Sequence, residues 1–115
     1  MFQMATAPVL CLVRDLLFLS KITATAGSLG IGVKTVRDPA KLAAEAGNRL
    51  IVDLNQEGAL AAAVQWRQRT GLPVIGFVSH VDTETITAAR AAGIDRILAR
   101  SAFVEQLPKL LGPLP

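Results

Sequence analysis

Leu50-Ile51-Val52-Asp53-Leu54-Asn55 is the stretch that decides how this chain folds. Three aliphatic residues, two of them β-branched, run straight into a carboxylate, and a turn-forming amide follows two places later. A short apolar run of this kind reads as a strand buried on both faces, as the strands of parallel sheets are. Asp53 then marks the C-terminal edge of that strand, the side of an open parallel sheet where ligands and chemistry collect. A carboxylate there is a candidate functional group.

Outward from this strand, similar apolar runs recur. Val9-Leu10-Cys11-Leu12-Val13 reads as a first buried strand ending at Arg14-Asp15, and Val33-Lys34-Thr35-Val36 as a short second one. Val74-Ile75-Gly76-Phe77-Val78 is a fourth, ending at Ser79-His80, and Ile97-Leu98-Ala99 a brief fifth, ending at Arg100. Between them the apolar spacing turns helical. Phe18, Ile22, Ala26 and Leu29 share one face of a first helix, which Gly27 and Gly30 close. Asp38-Pro39 supplies an N-cap and a first-position proline for a short second helix running to about Ala46. Ala59 to about Arg69 is an alanine-rich third helix with Leu60, Ala63 and Val64 on one face, and Trp66 is expected to cover its flank. Asp82 caps a fourth helix, Thr83 to Ala92, which Gly93 ends. Ser101 is expected to cap a fifth that carries Phe103, Val104, Leu107 and Leu110 and is kinked or restricted by Pro108. The glycine-rich run from Gly27 to Gly32 follows a helix, the reverse of the order a phosphate-cradling loop requires, so it reads as a helix ending.

Five strands alternating with five helices specify a parallel sheet covered on both faces. Five such units are too few for a closed eight-stranded barrel. The expected fold is therefore an α/β doubly wound sheet of strand order 2-1-3-4-5, which sets the C-terminal ends of strands 1, 3, 4 and 5 side by side. Asp15, Asp53, Ser79 and Arg100 would converge there. Two carboxylates, a hydroxyl and a cation suit the capture of a phosphoryl group: one carboxylate as nucleophile, another acid to hold a divalent cation, and the hydroxyl and guanidinium to bond phosphate oxygens. Such residues also end strands simply because strand ends reach water; their joint placement on four strands favours the functional reading.

Composition limits the alternatives. At 115 residues the chain is the size of one domain, 51% hydrophobic and 18% charged. Single-domain organisation over 1–115 is expected, with short flexible tails at 1–6 and 112–115. Arg14 and Asp15 interrupt the longest apolar region, which rules it out as a membrane span or signal-peptide core and points to a cytoplasmic location. A net charge of +3, spread along the chain and accompanied by four Phe, one Trp and no Tyr, offers neither a basic stripe nor a base-stacking platform, so nucleic-acid binding by this domain alone is not expected. The single Cys11 reads as a small buried hydrophobe, and His80, without a second ligand nearby in sequence, as a solvated loop residue.

With these residues in place, the chain resembles the receiver domain of two-component response regulators over nearly its whole length. The aspartate ending strand 3, the hydroxyl residue ending strand 4 and Ala91-Ala92-Gly93 before strand 5 carry the similarity. The resemblance implies the flavodoxin-like (βα)5 fold of CheY-like proteins, Asp53 as phospho-acceptor, Asp15 and Asp53 as ligands of Mg2+, and Ser79 and Arg100 as phosphate-contacting residues. It also implies a histidine kinase as phosphodonor and a protein partner or a second copy of the chain at the face of the fourth helix, fifth strand and fifth helix. The chain departs from the family's pattern at several places. Arg14 replaces the first of two adjacent acids, Arg100 the usual lysine, Ser101 the proline after it, and Ile97 the switch aromatic, while Gln56-Glu57-Gly58 lacks the usual proline. Arg14 exchanges a negative charge for a positive one, and its guanidinium is expected to pair with Asp53 or Asp15 in place of the metal. The sequence thus points to a pseudo-receiver acting through protein contacts, with no enzymatic activity beyond aspartyl self-phosphorylation. A working phospho-acceptor at Asp53 is the alternative, and a small-ligand α/β domain a weaker one. Gly112-Pro113-Leu114-Pro115 reads as a tail, so the output is expected to lie in another molecule unless the chain is a fragment.

Overall fold

A computed structural model describes residues 7–113; the tail expected at 1–6 and the last part of the one expected at 112–115 lie outside them. Five parallel strands, β1 (Val9–Leu12), β2 (Val33–Thr35), β3 (Arg49–Asp53), β4 (Val74–Val78) and β5 (Arg96–Ala99), form one sheet in the order β2-β1-β3-β4-β5. The expected doubly wound topology is present, with β3 at its centre. Leu10 pairs with Leu50, Leu50 with Val74 and Asp53 with Phe77, which aligns the C-terminal ends of the three central strands.

The strands alternate between two apolar faces. Leu10, Leu12, Leu50, Val52, Val74 and Val78 pack on one side against α2 (Ala59–Thr70) and α3 (Thr83–Ala91), through Ala59, Ala63, Trp66 and Ala89. Val9, Cys11, Val13, Ile51, Ile75 and Phe77 pack on the other against α1 (Leu16–Leu29) and α4 (Arg100–Leu111), through Ile22, Ala26, Phe103, Leu107, Leu110 and Leu111. This explains why the strand sequences are apolar throughout: neither face meets water. Each fully buried aliphatic side chain contributes roughly 1.5–3 kcal/mol. Burial also pushes the Cys11 thiol up to about 12, as expected for a small core residue.

Several local expectations are corrected. The second helix is a 3-10 helix, Pro39–Ala44, which buries only Leu42. Trp66 does not cover a flank. It is buried beneath this turn, and its indole N–H donates to the Glu45 carbonyl at 3.2 Å. Ser101 does not cap the last helix, because α4 starts two residues earlier than such a cap implies, at Arg100, with Ala99 as a cap that lends no side-chain bond. Pro108 lies inside α4, which runs on to Leu111. Leu29 is exposed, so the buried stripe of α1 ends at Ala26, and Gly30 closes the helix with φ +71°, a conformation open to glycine at little cost.

At the N-terminal edge of the sheet, Arg49 is 5% exposed and makes three hydrogen bonds. Its Nη1 donates to the carbonyls of Leu110 at 2.6 Å and Gly112 at 2.9 Å, and its Nε to Asn48 Oδ1 at 2.9 Å. The positive charge meets the negative end of α4 and fastens that helix to the central strand. Gly112, expected within a flexible tail, is held by this clasp. Nearby, a Cβ on Gly47 would lie 2.6 Å from Leu10 Cγ and 2.7 Å from the Pro8 carbonyl oxygen, so only glycine fits where the chain enters β3.

Candidate functional site

The opposite edge of the sheet is built from strand ends. β3 ends at Asp53, whose side chain is turned back on its own chain: Oδ1 accepts the Asn55 backbone N–H at 3.0 Å, an Asx turn that fixes the carboxylate at the rim. Asp53 is buried except for a small exposed fraction. Arg100, the first residue of α4, reaches across β4, and its Nη2 lies 3.7 Å from Asp53 Oδ1, a distance of charge pairing but not of hydrogen bonding. Its guanidinium carbon sits 5.4 Å from the Phe18 ring centroid and 5.9 Å from that of Phe77. These rings belong to an aromatic cluster in which Phe77 stacks on Phe103 at 4.5 Å and on Phe18 at 4.9 Å. A cation held over ring faces is attracted by their negative potential without forming an ion pair.

Asn55 joins these parts. Its carboxamide oxygen accepts the Ser79 backbone N–H at 2.7 Å and Arg100 Nη2 at 3.3 Å, while its Nδ2 donates to Asp82 Oδ2 at 2.7 Å. Asp82 in turn caps α3 by accepting the Thr85 N–H at 3.1 Å. Hydrogen bonds from Thr85, side chain and backbone, together with that from Asn55, hold the Asp82 carboxyl below the usual carboxylate range. One side chain therefore links the ends of β3 and β4 with the starts of α3 and α4.

Of the residues singled out in the sequence, Asp53, Ser79 and Arg100 meet at this rim, with Ser79 engaged through its backbone. Asp15, at the end of the neighbouring β1, has a local role as well. It is exposed and serves as the N-cap of α1, its Oδ1 accepting the N–H groups of Leu17 at 2.9 Å and Phe18 at 3.3 Å. The guanidinium beside Asp53 is that of Arg100 and not of Arg14, contrary to the expected substitution for the metal. With Asp15 committed to the start of α1, Arg14 is left exposed, and among the described residues it forms no ion pair. His80 is exposed, and Ile97, at the position of the expected aromatic, is half-buried against the α2 and α3 layer, on the opposite side of the sheet from the aromatic cluster. Sequence reasoning recognised Asn55 only as a turn former and Asp82 only as a cap. The available signal was that Asn55 stands two residues beyond the acid at the same sheet edge.

Mg2+ suits hard oxygen ligands, usually one or two carboxylates completed by water and phosphate. Here Oδ1 of the Asp53 carboxylate is shared between a backbone N–H and a guanidinium, and no group of three acidic, histidine or cysteine side chains able to hold a metal occurs among the described residues. The acidic side chains present do not form a cation cage.

No helix among the described residues is long and apolar enough to cross a membrane. No known family profile matches the chain, and no curated protein does. Solved structures do match. The CheY-like receiver domain protein from Methanospirillum hungatei JF-1 superposes with a TM-score of 0.74 at 15% identity, over 93% of this chain and 94% of that one. The receiver domain of the Francisella response regulator 1452 gives 0.75 at 17% identity, over 92% and 93%. The phosphorylated cyanobacterial phytochrome response regulator RcpA gives 0.73 at 16% identity, over 93% and 89%. Sheet order, crossovers and nearly complete mutual coverage together establish that this chain has the fold of the response regulator receiver domains.

Proposed function

We propose that this chain is a receiver-like signalling domain that works by protein contact, and that its aspartate site is impaired for phosphoryl transfer. The observation that carries this reading is the pairing of Asp53 with Arg100, and it is supported by the use of Asp15 Oδ1 as the cap of α1. A phosphoryl donor carries several negative charges and needs cationic neutralisation to approach a carboxylate. Arg100 supplies one positive charge, already opposed by Asp53.

The contact surface in this reading is formed by α3, β5 and α4. β5 is an edge strand, and Ile97 and Leu98 on it are half-buried, as are Ile86 on α3 and Val104 on α4. Arg90 and Arg96 are exposed on the same elements. An unpaired strand edge with apolar patches and positive charges suits a protein partner or a second copy of the chain. Light scattering across a concentration series tests the second copy.

A second reading, a working phospho-acceptor served by a histidine kinase, draws support from the placement of Asp53, the Ser79 N–H and Arg100 at one rim. Incubation with acetyl phosphate, in magnesium chloride and again in EDTA, followed by intact mass measurement, separates the two. No phosphoryl adduct is expected in either buffer. An adduct that forms in magnesium and disappears in Asp53→Asn overturns the impaired-site reading.

A further inference from the structure

We infer that Asn55 acts as an internal surrogate for an anionic group at Asp53, keeping the crevice in a closed arrangement and obstructing modification of that aspartate. The inference rests on the receiver reading of the Asp53 crevice and adds to it the residue that regulates access.

A phosphoryl group on Asp53 would need donors for its oxygens. The groups at this rim that can turn toward it are the Ser79 backbone N–H, the start of the loop to α3, and the Arg100 guanidinium. The Ser79 N–H and one guanidinium nitrogen, Arg100 Nη2, already bond a single atom, the carboxamide oxygen of Asn55, at 2.7 and 3.3 Å. Arg100 thus hydrogen-bonds to a neutral amide in preference to the carboxylate 3.7 Å away, and its Nε is buried with no partner among the described residues. A guanidinium with an unused buried donor is held short of its best geometry, since arginine satisfies carboxylates and phosphates in a bidentate fork.

The other end of the same carboxamide explains why it stays. Asn55 Nδ2 donates to Asp82 Oδ2 at 2.7 Å, and Asp82 also caps α3. Each carboxamide group is therefore satisfied, and the charged partner Asp82 strengthens the bond that holds the oxygen toward Ser79 and Arg100. An incoming phosphoryl group would have to displace this oxygen from both donors. In doing so it would release Asn55 from Asp82 and so reach the cap of α3, the first element of the proposed contact face.

The test compares the wild-type chain with Asn55→Ala and Asn55→Ser, using acetyl phosphate in magnesium-containing buffer and intact mass as readout. In the reaction an Asp53 carboxylate oxygen bonds to phosphorus, the phosphorus–oxygen bond to acetate breaks, and acetate leaves. The expected result is that both variants take up a phosphoryl group at least about tenfold faster than wild type, the equivalent of one charged hydrogen bond, and that adding Asp53→Asn abolishes the gain. Hydrogen exchange at the Ser79 amide should accelerate in the same variants, while their circular dichroism spectra match wild type. Equal uptake by wild type and variants overturns both the surrogate role and the impaired-site reading. No uptake by any of them overturns the surrogate role alone and leaves the contact-module reading standing.

Discussion

Arg49 and Arg100 occupy opposite edges of one sheet and use the same side chain in different ways. Arg49 is enclosed, and it directs its donors at an amide and two helix-terminal carbonyls within 2.9 Å. Arg100 has 36% of its side chain exposed, rests on two aromatic rings, bonds an amide at 3.3 Å and stands off from its carboxylate at 3.7 Å. One arginine is fixed by three short bonds, two of them to backbone carbonyls. The other is held by longer contacts that can be exchanged. The difference lies in how each edge uses its donors: short bonds fasten the chain at one, and longer contacts with an unpaired Nε hold the cation at the other.

The strongest way to break this comparison is to remove each arginine. Arg49→Met strands the Leu110 and Gly112 carbonyls and should cost roughly 2–4 kcal/mol in urea unfolding, whereas Arg100→Met should cost about 1 kcal/mol or less, because its polar contacts are long and its own side chain is 36% exposed. Equal losses would end the distinction. Gly47→Ala probes the rigid edge without touching a charge, and the clash with Leu10 and Pro8 should cost roughly 1–3 kcal/mol.

Acid titration sharpens the comparison further. Asp95 accepts two bonds from Arg67 at 2.9 Å and one from the Val74 N–H at 2.8 Å, and Arg67 chiefly holds its carboxyl below the ordinary range, as Thr85 and Asn55 do for Asp82. A depressed carboxyl contributes stability that is present above its unfolded pKa and is lost as pH falls through the folded one. Unfolding free energy should therefore be flat near neutrality and decline below about pH 4. Asp95→Asn should flatten part of that decline and cost about 1 kcal/mol or less at neutral pH. The smallest effect is expected at Cys11. Its thiol is buried and its pKa is raised, so labelling with a thiol reagent at mildly alkaline pH should be negligible until the chain unfolds.

Much of the architecture was legible because it rests on one-dimensional signals. The two-faced apolar runs at Val9–Leu12, Arg49–Asp53 and Val74–Val78 could only be interior strands, and Asp82 and Gly30 mark helix ends by chemistry that acts locally. The second helix was overestimated because Asp38-Pro39 announces a helical start without saying how many turns follow, and too few apolar residues lie beyond it to bury more than Leu42. At the site, topology brought Asp53, Ser79 and Arg100 together as expected. The roles of Asn55, Asp15 and Arg14 depend on side-chain reach and on which donor captures which acceptor, and strand spacing carries no record of that. Arg14 and Arg100 are indistinguishable as letters at strand ends, yet one is exposed and the other lies over Phe18 and Phe77.

The single tryptophan has a practical consequence. Trp66 is sealed beneath the 3-10 turn, in the layer farthest from the aromatic cluster and without contact to Asp53 or Arg100 among its hydrogen bonds. Its fluorescence should therefore follow loosening of that covering layer and stay silent to changes at the aspartate crevice, giving an optical readout of global integrity that does not confuse occupancy of the site with loss of the fold.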